Sequence, residues 1–232
     1  MLRRAAKTIG QWFFGGRCFL CHGNASTDLL CAACAADLPR LDGERCPRCA
    51  LASPAGAVCG RCLARPPHFD GTIAALAYGF PADVLVHALK FRGELAVAEL
   101  LAQLLGERLA RAERVDCVLP VPISRDRLRE RGYNQALEIA RHVARATGAR
   151  LAPELCERVR DTPAQTTLAW AERSRNVRGA FRAPRALESA AVAVLDDVMT
   201  TGATLDEVAE TLKAAGAARV VNWVVARAFP PD

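Results

Sequence analysis

The stretch AVAVLDDVMTTGATLDE, Ala191 to Glu207, decides how the rest of the chain is read. Ala191 to Leu195 are small and apolar without interruption, the pattern of a strand buried on both faces. At its end stand Asp196 and Asp197, after which Thr200, Thr201, Gly202, Ala203 and Thr204 turn the chain into a helix. Backbone N–H groups and hydroxyls at such a turn, with Gly202 permitting close approach, form a cradle for a phosphate monoester. Two carboxylates would repel that phosphate at contact distance. One ribose length away they accept hydrogen bonds from sugar hydroxyls, so the segment predicts a ribose 5-phosphate with its 2- and 3-hydroxyls on the acids. Acids and threonines also cap helices, but capping alone accounts for only part of the run. No GxxxxGK[ST] occurs in the chain, which excludes a Walker loop.

On both sides of this segment, from Asp70 onward, short apolar runs alternate with amphipathic ones. GTIAALAYGF reads as a strand or hairpin, ADVLVHALKF and ELAVAELLAQLLGERLA as helices, and VDCVLPVPI as a buried strand. A helix at about 134–147, a short strand near Leu155 to Val159, an irregular Arg-rich stretch, the strand AAVAVL, a helix near 203–215 and the strand ARVVNWVVA complete the series. The expected fold class is α/β, a mainly parallel doubly wound sheet, with ligands beyond the carboxyl ends of the strands.

Ten cysteines are unevenly placed: eight lie between positions 18 and 62 as four CxxC pairs, Cys18/Cys21, Cys31/Cys34, Cys46/Cys49 and Cys59/Cys62. A two-residue spacer turns both sulfurs of a pair toward one point, and two pairs complete a tetrahedral thiolate shell, so eight ligands imply two structural Zn2+ ions. The gaps of nine, eleven and nine residues suggest two successive ribbons, while spacing alone leaves a cross-braced pairing open. His22 stands beside Cys21, but eight thiolates already fill two shells. Few large apolar residues accompany the cysteines, so the segment is expected to need its metal to fold. Pro66-Pro67 closes it, giving an expected zinc ribbon module over 1–66 and an α/β domain over 67–232. Cys117 and Cys156 fall in apolar runs and read as packing residues.

The net charge is +6, and 28 of the 31 basic residues are Arg, a bias that reflects genome composition more than function. Placement is more informative. Residues 123–131 carry four Arg against two acids and residues 150–185 eight against four, which together equal the whole excess. A localised basic surface suits a polyanion, either a phosphorylated metabolite or a nucleic-acid backbone. No apolar run approaches the roughly 20 residues of a membrane span, and the basic start MLRRAAKTIGQWFFGG lacks a signal-peptide core, so a cytoplasmic protein in a reducing compartment, with thiols rather than disulfides, is expected.

Apolar strand, two acids, two spacers and TTGAT resemble the phosphoribosyl pyrophosphate (PRPP) signature of type I phosphoribosyltransferases. The resemblance implies Asp196 and Asp197 as the catalytic pair on the ribose, Thr200, Thr201, Gly202, Ala203 and Thr204 around the 5-phosphate, and Mg2+ accompanying PRPP. It also implies that ISRDRLRERGYNQ, a loop at another strand end, holds pyrophosphate, with Arg131, Gly132, Asn134 and Gln135 as contacts. Gly132 there is expected to start the following helix. The long segment RVRDTPAQTTLAWAERSRNVRGAF resembles the loop that closes over PRPP in that class; Arg158, Arg160, Thr162, Gln165, Arg173 and Asn176 are its candidates, with Lys90 of ALKFRG added. Trp170 in the same loop is a candidate for stacking on a base. His68, His87 and His142 show no partner spacing.

The four CxxC pairs, ALKFRG, PVP with RGYNQ, the Arg-rich loop and DDVMTTGAT, in this order from about Cys18 to Val225, resemble the ComF family of competence proteins. Tyr133 stands where Phe is common. That resemblance implies a cytoplasmic bacterial protein aiding uptake of single-stranded DNA in natural transformation, with competence-machinery proteins as partners. The alternative reading is a nonenzymatic DNA-handling or adaptor protein whose pocket senses a metabolite. No general base stands out.

Overall fold

The computed structural model describes residues 16–26, 28–160 and 177–230. Candidates Thr162, Gln165, Arg173 and Asn176, with Trp170, lie outside them. The N-terminal part consists of two zinc-ribbon units built alike. In the first, β1 (Gly16–Arg17) pairs antiparallel with β2 (Asn24–Ser26), and Cys31 opens the short helix α1 (Ala32–Ala36). In the second, Cys59 opens α2 (Gly60–Ala64). Each first CxxC closes a knuckle: the Cys18 N–H donates to the Gly23 carbonyl at 2.7 Å and that of Cys46 to Leu51 at 2.8 Å. The residue after the knuckle is left-handed in both, His22 at φ 61° and Ala50 at φ 59°. His22 therefore occupies a turn position that alanine fills in the second unit.

The larger part is a five-stranded sheet in the order β3 (Gly71–Ala77), β9 (Arg219–Arg227), β8 (Ala191–Met199), β4 (Cys117–Pro120), β5 (Arg150–Leu151), with every neighbouring pair parallel. GTIAALAYGF is thus a strand and not a hairpin. One face is covered by α3 (Ala82–Phe91), α4 (Ala96–Leu109) and α6 (Gln135–Thr147), whose Leu85, Leu89, Leu101, Leu105, Ile139 and Val143 pack on Ala193 and Leu195. The other is covered by α7 (Ala203–Ala214), with Leu205, Val208 and Leu212 against Val192 and Val194. Burial on both faces explains why β8 and β9 read as continuous apolar runs and not as alternating ones.

The two ribbon units sit on opposite faces of the sheet. Cys18, Leu30 and Leu38 join the first core, and Cys46, Cys49, Leu51 and Cys62 the second. The chain between them runs along the edge strand: Leu41 N–H donates to the Ala75 carbonyl at 3.0 Å and Ala77 N–H to Pro39 at 2.7 Å. This covers a sheet edge that would otherwise be open to pairing with another chain.

Three local expectations are corrected. ISRDRLRERGYNQ is not a loop throughout: Ser124 caps α5 (Arg125–Arg131), accepting from Arg127 N–H at 3.3 Å. Gly132, at φ 80°, ends that helix instead of starting the next, because its left-handed backbone closes the last turn onto Leu128. The strand expected at Leu155 to Val159 is only β6 (Glu157–Arg158), paired antiparallel with β7 (Phe181–Arg182), since Pro153–Leu155 form a 3-10 turn. Cys117 and Cys156 are both 2% exposed, and burial pushes the Cys156 thiol up to about 12, as suits inert packing residues.

Candidate functional site

The strand that delivers the two acids is longer than its apolar run. β8 continues through Met199, and Asp196 still pairs with Val224 of β9. Consecutive residues of a strand point to opposite faces, and this separates the acids. Asp196 lines a shallow cavity of about 30 Å³ together with Thr200, Thr201, Gly202, Ala203 and Thr204. Asp197, 3% exposed, faces the other way and meets Lys90, whose Nζ lies 2.7 Å from its Oδ2. The expectation that both acids face the sugar alike therefore needs correcting, and so does the placing of Lys90 among loop residues: it stands in the last turn of α3.

Electrostatics differentiates the pair. Burial and the Asp197 charge raise Asp196 well above the ordinary carboxylate value. Burial also acts to raise Asp197, but the Lys90 ammonium outweighs it and holds that carboxyl below its usual value. Lys90 is in turn held up by Asp197 against its own burial. Lys90 thus favours the ionised form of Asp197, whereas burial and the Asp197 charge disfavour ionisation of Asp196.

At the bend, Gly202 adopts φ 86°, and a Cβ there would stand 2.7 Å from the Met199 Cε. Glycine is thus required by conformation, while the flexible Met199 side chain would have to swing aside for any larger residue. Gly202 is also the N-cap of α7 and supplies no side-chain acceptor. Ala203, Thr204 and Leu205 of the first turn of this twelve-residue helix line the cavity at the positive end of its dipole, and the Ala203 N–H donates to Thr201 Oγ1 at 3.2 Å.

The segment after β4 converges on the same place. The Tyr133 hydroxyl donates to the Leu89 carbonyl, and the Arg131 guanidinium lies 5.3 Å from the Phe91 ring centroid, so RGYNQ and ALKFRG form one unit. Burial lowers the Arg131 pKa, and the nearby Asp197 charge opposes the shift. Arg131 also bonds the Gln135 side chain. Asn134 is engaged by the fold itself, accepting from Ala136 N–H at 3.0 Å and donating to the Val121 carbonyl at 3.0 Å. Among the described residues a groove of about 1270 Å³ extends from Thr201 to Ala203 along α7 to Cys49, Arg61 and Arg65. Arg158 and Arg160 precede residues 161–176, which lie outside the described ones, and Val159 N–H donates to the Ala180 carbonyl at 2.9 Å, so the described residues on either side meet at a common base. Gly179 N–H then donates to Glu207 Oε1 at 2.5 Å, fixing that base on α7.

Each cysteine cluster, Cys18/Cys21/Cys31/Cys34 and Cys46/Cys49/Cys59/Cys62, has its sulfurs within 4.8 Å of one another. A tetrahedral shell of radius about 2.3 Å has edges of about 3.8 Å. The Cys21–Cys31 and Cys49–Cys59 sulfurs are 3.8 and 3.6 Å apart, so the clusters fit structural zinc, paired as successive ribbons. None of the ten cysteines is in a disulfide.

Sequence reasoning missed two residues. His68 offers no spacing pattern, yet its N–H donates to Asp206 Oδ1 at 2.7 Å. Arg227, 1% exposed, donates from Nε to the Cys49 carbonyl at 2.8 Å and from Nη1 to Met199 at 2.9 Å. An Arg in a strand buried throughout was the available signal. Among the described residues no helix is long and apolar enough to cross a membrane.

A double zinc ribbon domain model matches residues 9–63. The DNA utilization protein YhgH of Salmonella typhi is 34% identical over 223 residues, 91% of this chain and 97% of that one. Competence protein F of Haemophilus influenzae is 29% identical over 228 residues, 93% and 99% of the two chains. Among solved structures, the allosteric regulatory enzyme of purine biosynthesis is similar over 55% of this chain at 27% identity and a TM-score of 0.36, and the chain spans 26% of its length. Matched across nearly the whole of both chains, the protein belongs to the competence-related ComF/YhgH family.

Proposed function

We propose that the cavity at the end of β8 binds PRPP or a related ribose phosphate. The observation that carries this reading is the left-handed Gly202 bend at the start of α7 with Asp196 lining the same cavity. In this reading the first-turn N–H groups take the 5-phosphate, Asp196 accepts from the ribose hydroxyls, and Lys90 holds Asp197 charged behind it. Arg131 and Gly132 face the pyrophosphate, Asn134 and Gln135 shape that segment, and Mg2+ accompanies the ligand as a neutralising charge. Arg158 and Arg160 stand at the root of the loop that would exclude water.

A transferase step would break the C1–O bond to pyrophosphate and form a C1–N bond to an amine or base, which then loses its proton. The protein would supply positioning and charge stabilisation. The family relationship supports a role for that pocket in handling incoming DNA. Titrating PRPP into the protein with and without Mg2+ tests binding, and pyrophosphate release across a panel of nucleobases and amines tests turnover. Saturable PRPP binding is expected; its absence overturns the reading. Binding without release for any acceptor would assign the pocket to sensing instead of transfer.

A further inference from the structure

Arg227 ends β9 as a buried cation, and among the described residues its partners are backbone carbonyls and not a carboxylate. One belongs to the neighbouring Ala228, and the others come from two places far apart in sequence. Nε binds the carbonyl of Cys49, a ligand of the second cluster, at 2.8 Å. Nη1 binds the carbonyls of Met199, at 2.9 Å, and of Thr200, where the phosphate bend begins. A planar guanidinium thus spans the zinc ribbon and the bend in one fixed geometry. Burying such a charge without an acid is costly unless something nearby supplies negative potential. Four thiolates around one Zn2+ leave two net negative charges, so the loaded cluster provides it. Both the position and the solvation of Arg227 therefore depend on that cluster. The first cluster sits on the opposite face of the sheet, and among the described residues no hydrogen bond joins it to the bend.

We propose that Arg227 is a positioning residue that couples the second cysteine cluster to the Thr200–Thr204 bend, so that a ribose phosphate binds fully only when that cluster holds its metal. The inference rests on the reading of the bend as a sugar-phosphate site. Loss of Zn2+ from Cys46, Cys49, Cys59 and Cys62 frees the Cys49 carbonyl, Arg227 shifts, and the Thr200 carbonyl loses its guanidinium donor while Met199 keeps only the Ala228 N–H, which loosens the mouth of the bend. The second ribbon then acts as a metal-dependent support of the pocket, and the first does not.

The test is PRPP–Mg2+ titration of the full chain, with zinc content measured on each sample. Arg227→Met should keep two zinc ions per chain and weaken PRPP binding about tenfold or more, with Arg227→Lys in between because one ammonium cannot reproduce the fork. Cys59→Ser, retaining one zinc, should weaken binding by a similar factor, whereas Cys21→Ser, also retaining one, should leave it within about twofold. The Arg227→Met/Cys59→Ser double variant should bind no more weakly than either single one, since both break the same link. Should Cys59→Ser fail to fold, the Arg227 variants, with both metals in place, still decide the matter. Folded, zinc-loaded Arg227→Met with wild-type affinity, or equal losses in the two cysteine variants, overturns the coupling and leaves the pocket standing. Absence of PRPP binding by the wild type overturns the pocket reading itself.

Discussion

Lys90 Nζ lies 2.7 Å from Asp197 Oδ2, joining the end of α3 to the end of β8 across 107 residues of sequence. The carboxylate side chain is 4% exposed and the ammonium 25%, so the pair is screened little by water. This contact favours the ionised form of Asp197 and leaves Asp196 facing the bend.

Breaking that pair leaves a buried charge alone. Asp197→Asn and Lys90→Met should each lower stability by about 2–4 kcal/mol, and the double variant should lose less than the sum, because the second change removes the orphaned partner. Denaturant unfolding of the four proteins measures both.

Asp196 should behave in the opposite sense. Its folded pKa lies above the unfolded value, so its contribution is fully present below the unfolded pKa and is lost as pH rises through the folded one. At neutral pH its ionisation costs stability. Asp196→Asn should therefore raise the melting temperature by a few degrees at pH 7–8, about 1 kcal/mol, with the gain shrinking as the pH is lowered toward the unfolded value. Melting curves of both proteins across pH 4.5–8 check the sign.

Removing metal should affect more than the ribbons. Cys46, Cys49 and Cys62 are packed in one core with Met199 and Leu205, so that core extends into the sheet. Elemental analysis should find two zinc ions per chain, and a strong chelator should lower the melting temperature while exposing eight further reactive thiols, with Cys117 and Cys156 reacting only after the sheet unfolds.

Gly202→Val should combine a left-handed strain of about 1–2 kcal/mol with displacement of the Met199 methyl. Unfolding should show a loss near that size, and PRPP binding should fall below detection because the side chain narrows the bend. Gly43, also left-handed at φ 82° but with open space around it, should tolerate the same change for the strain alone.

What could be read from sequence was what local spacing encodes. The four CxxC pairs and the DDVMTTGAT run each carry their geometry within a dozen residues, and the alternation of apolar runs is enough to order strands and helices. Lys90–Asp197 and Arg227–Cys49 join positions 107 and 178 residues apart, so local spacing could mark the cations but not their partners. The separation of the two acids was hidden for a different reason: the strand runs four residues beyond its apolar segment, held by β9 at Asp196, Val198 and Met199. ISRDRLRERGYNQ reads as a loop from its place at a strand end, although Ser124 and Gly132 mark the start and end of a helix within it.

Calorimetric titration of PRPP and Mg2+ into wild type and Asp196→Asn at pH 7.5 bears most directly on the role of the bend. An amide presents one acceptor oxygen where a carboxylate presents two, so the variant should bind about tenfold more weakly or worse while melting higher than the wild type. A variant that binds PRPP as tightly as the wild type would show that Asp196 does not hold the ribose.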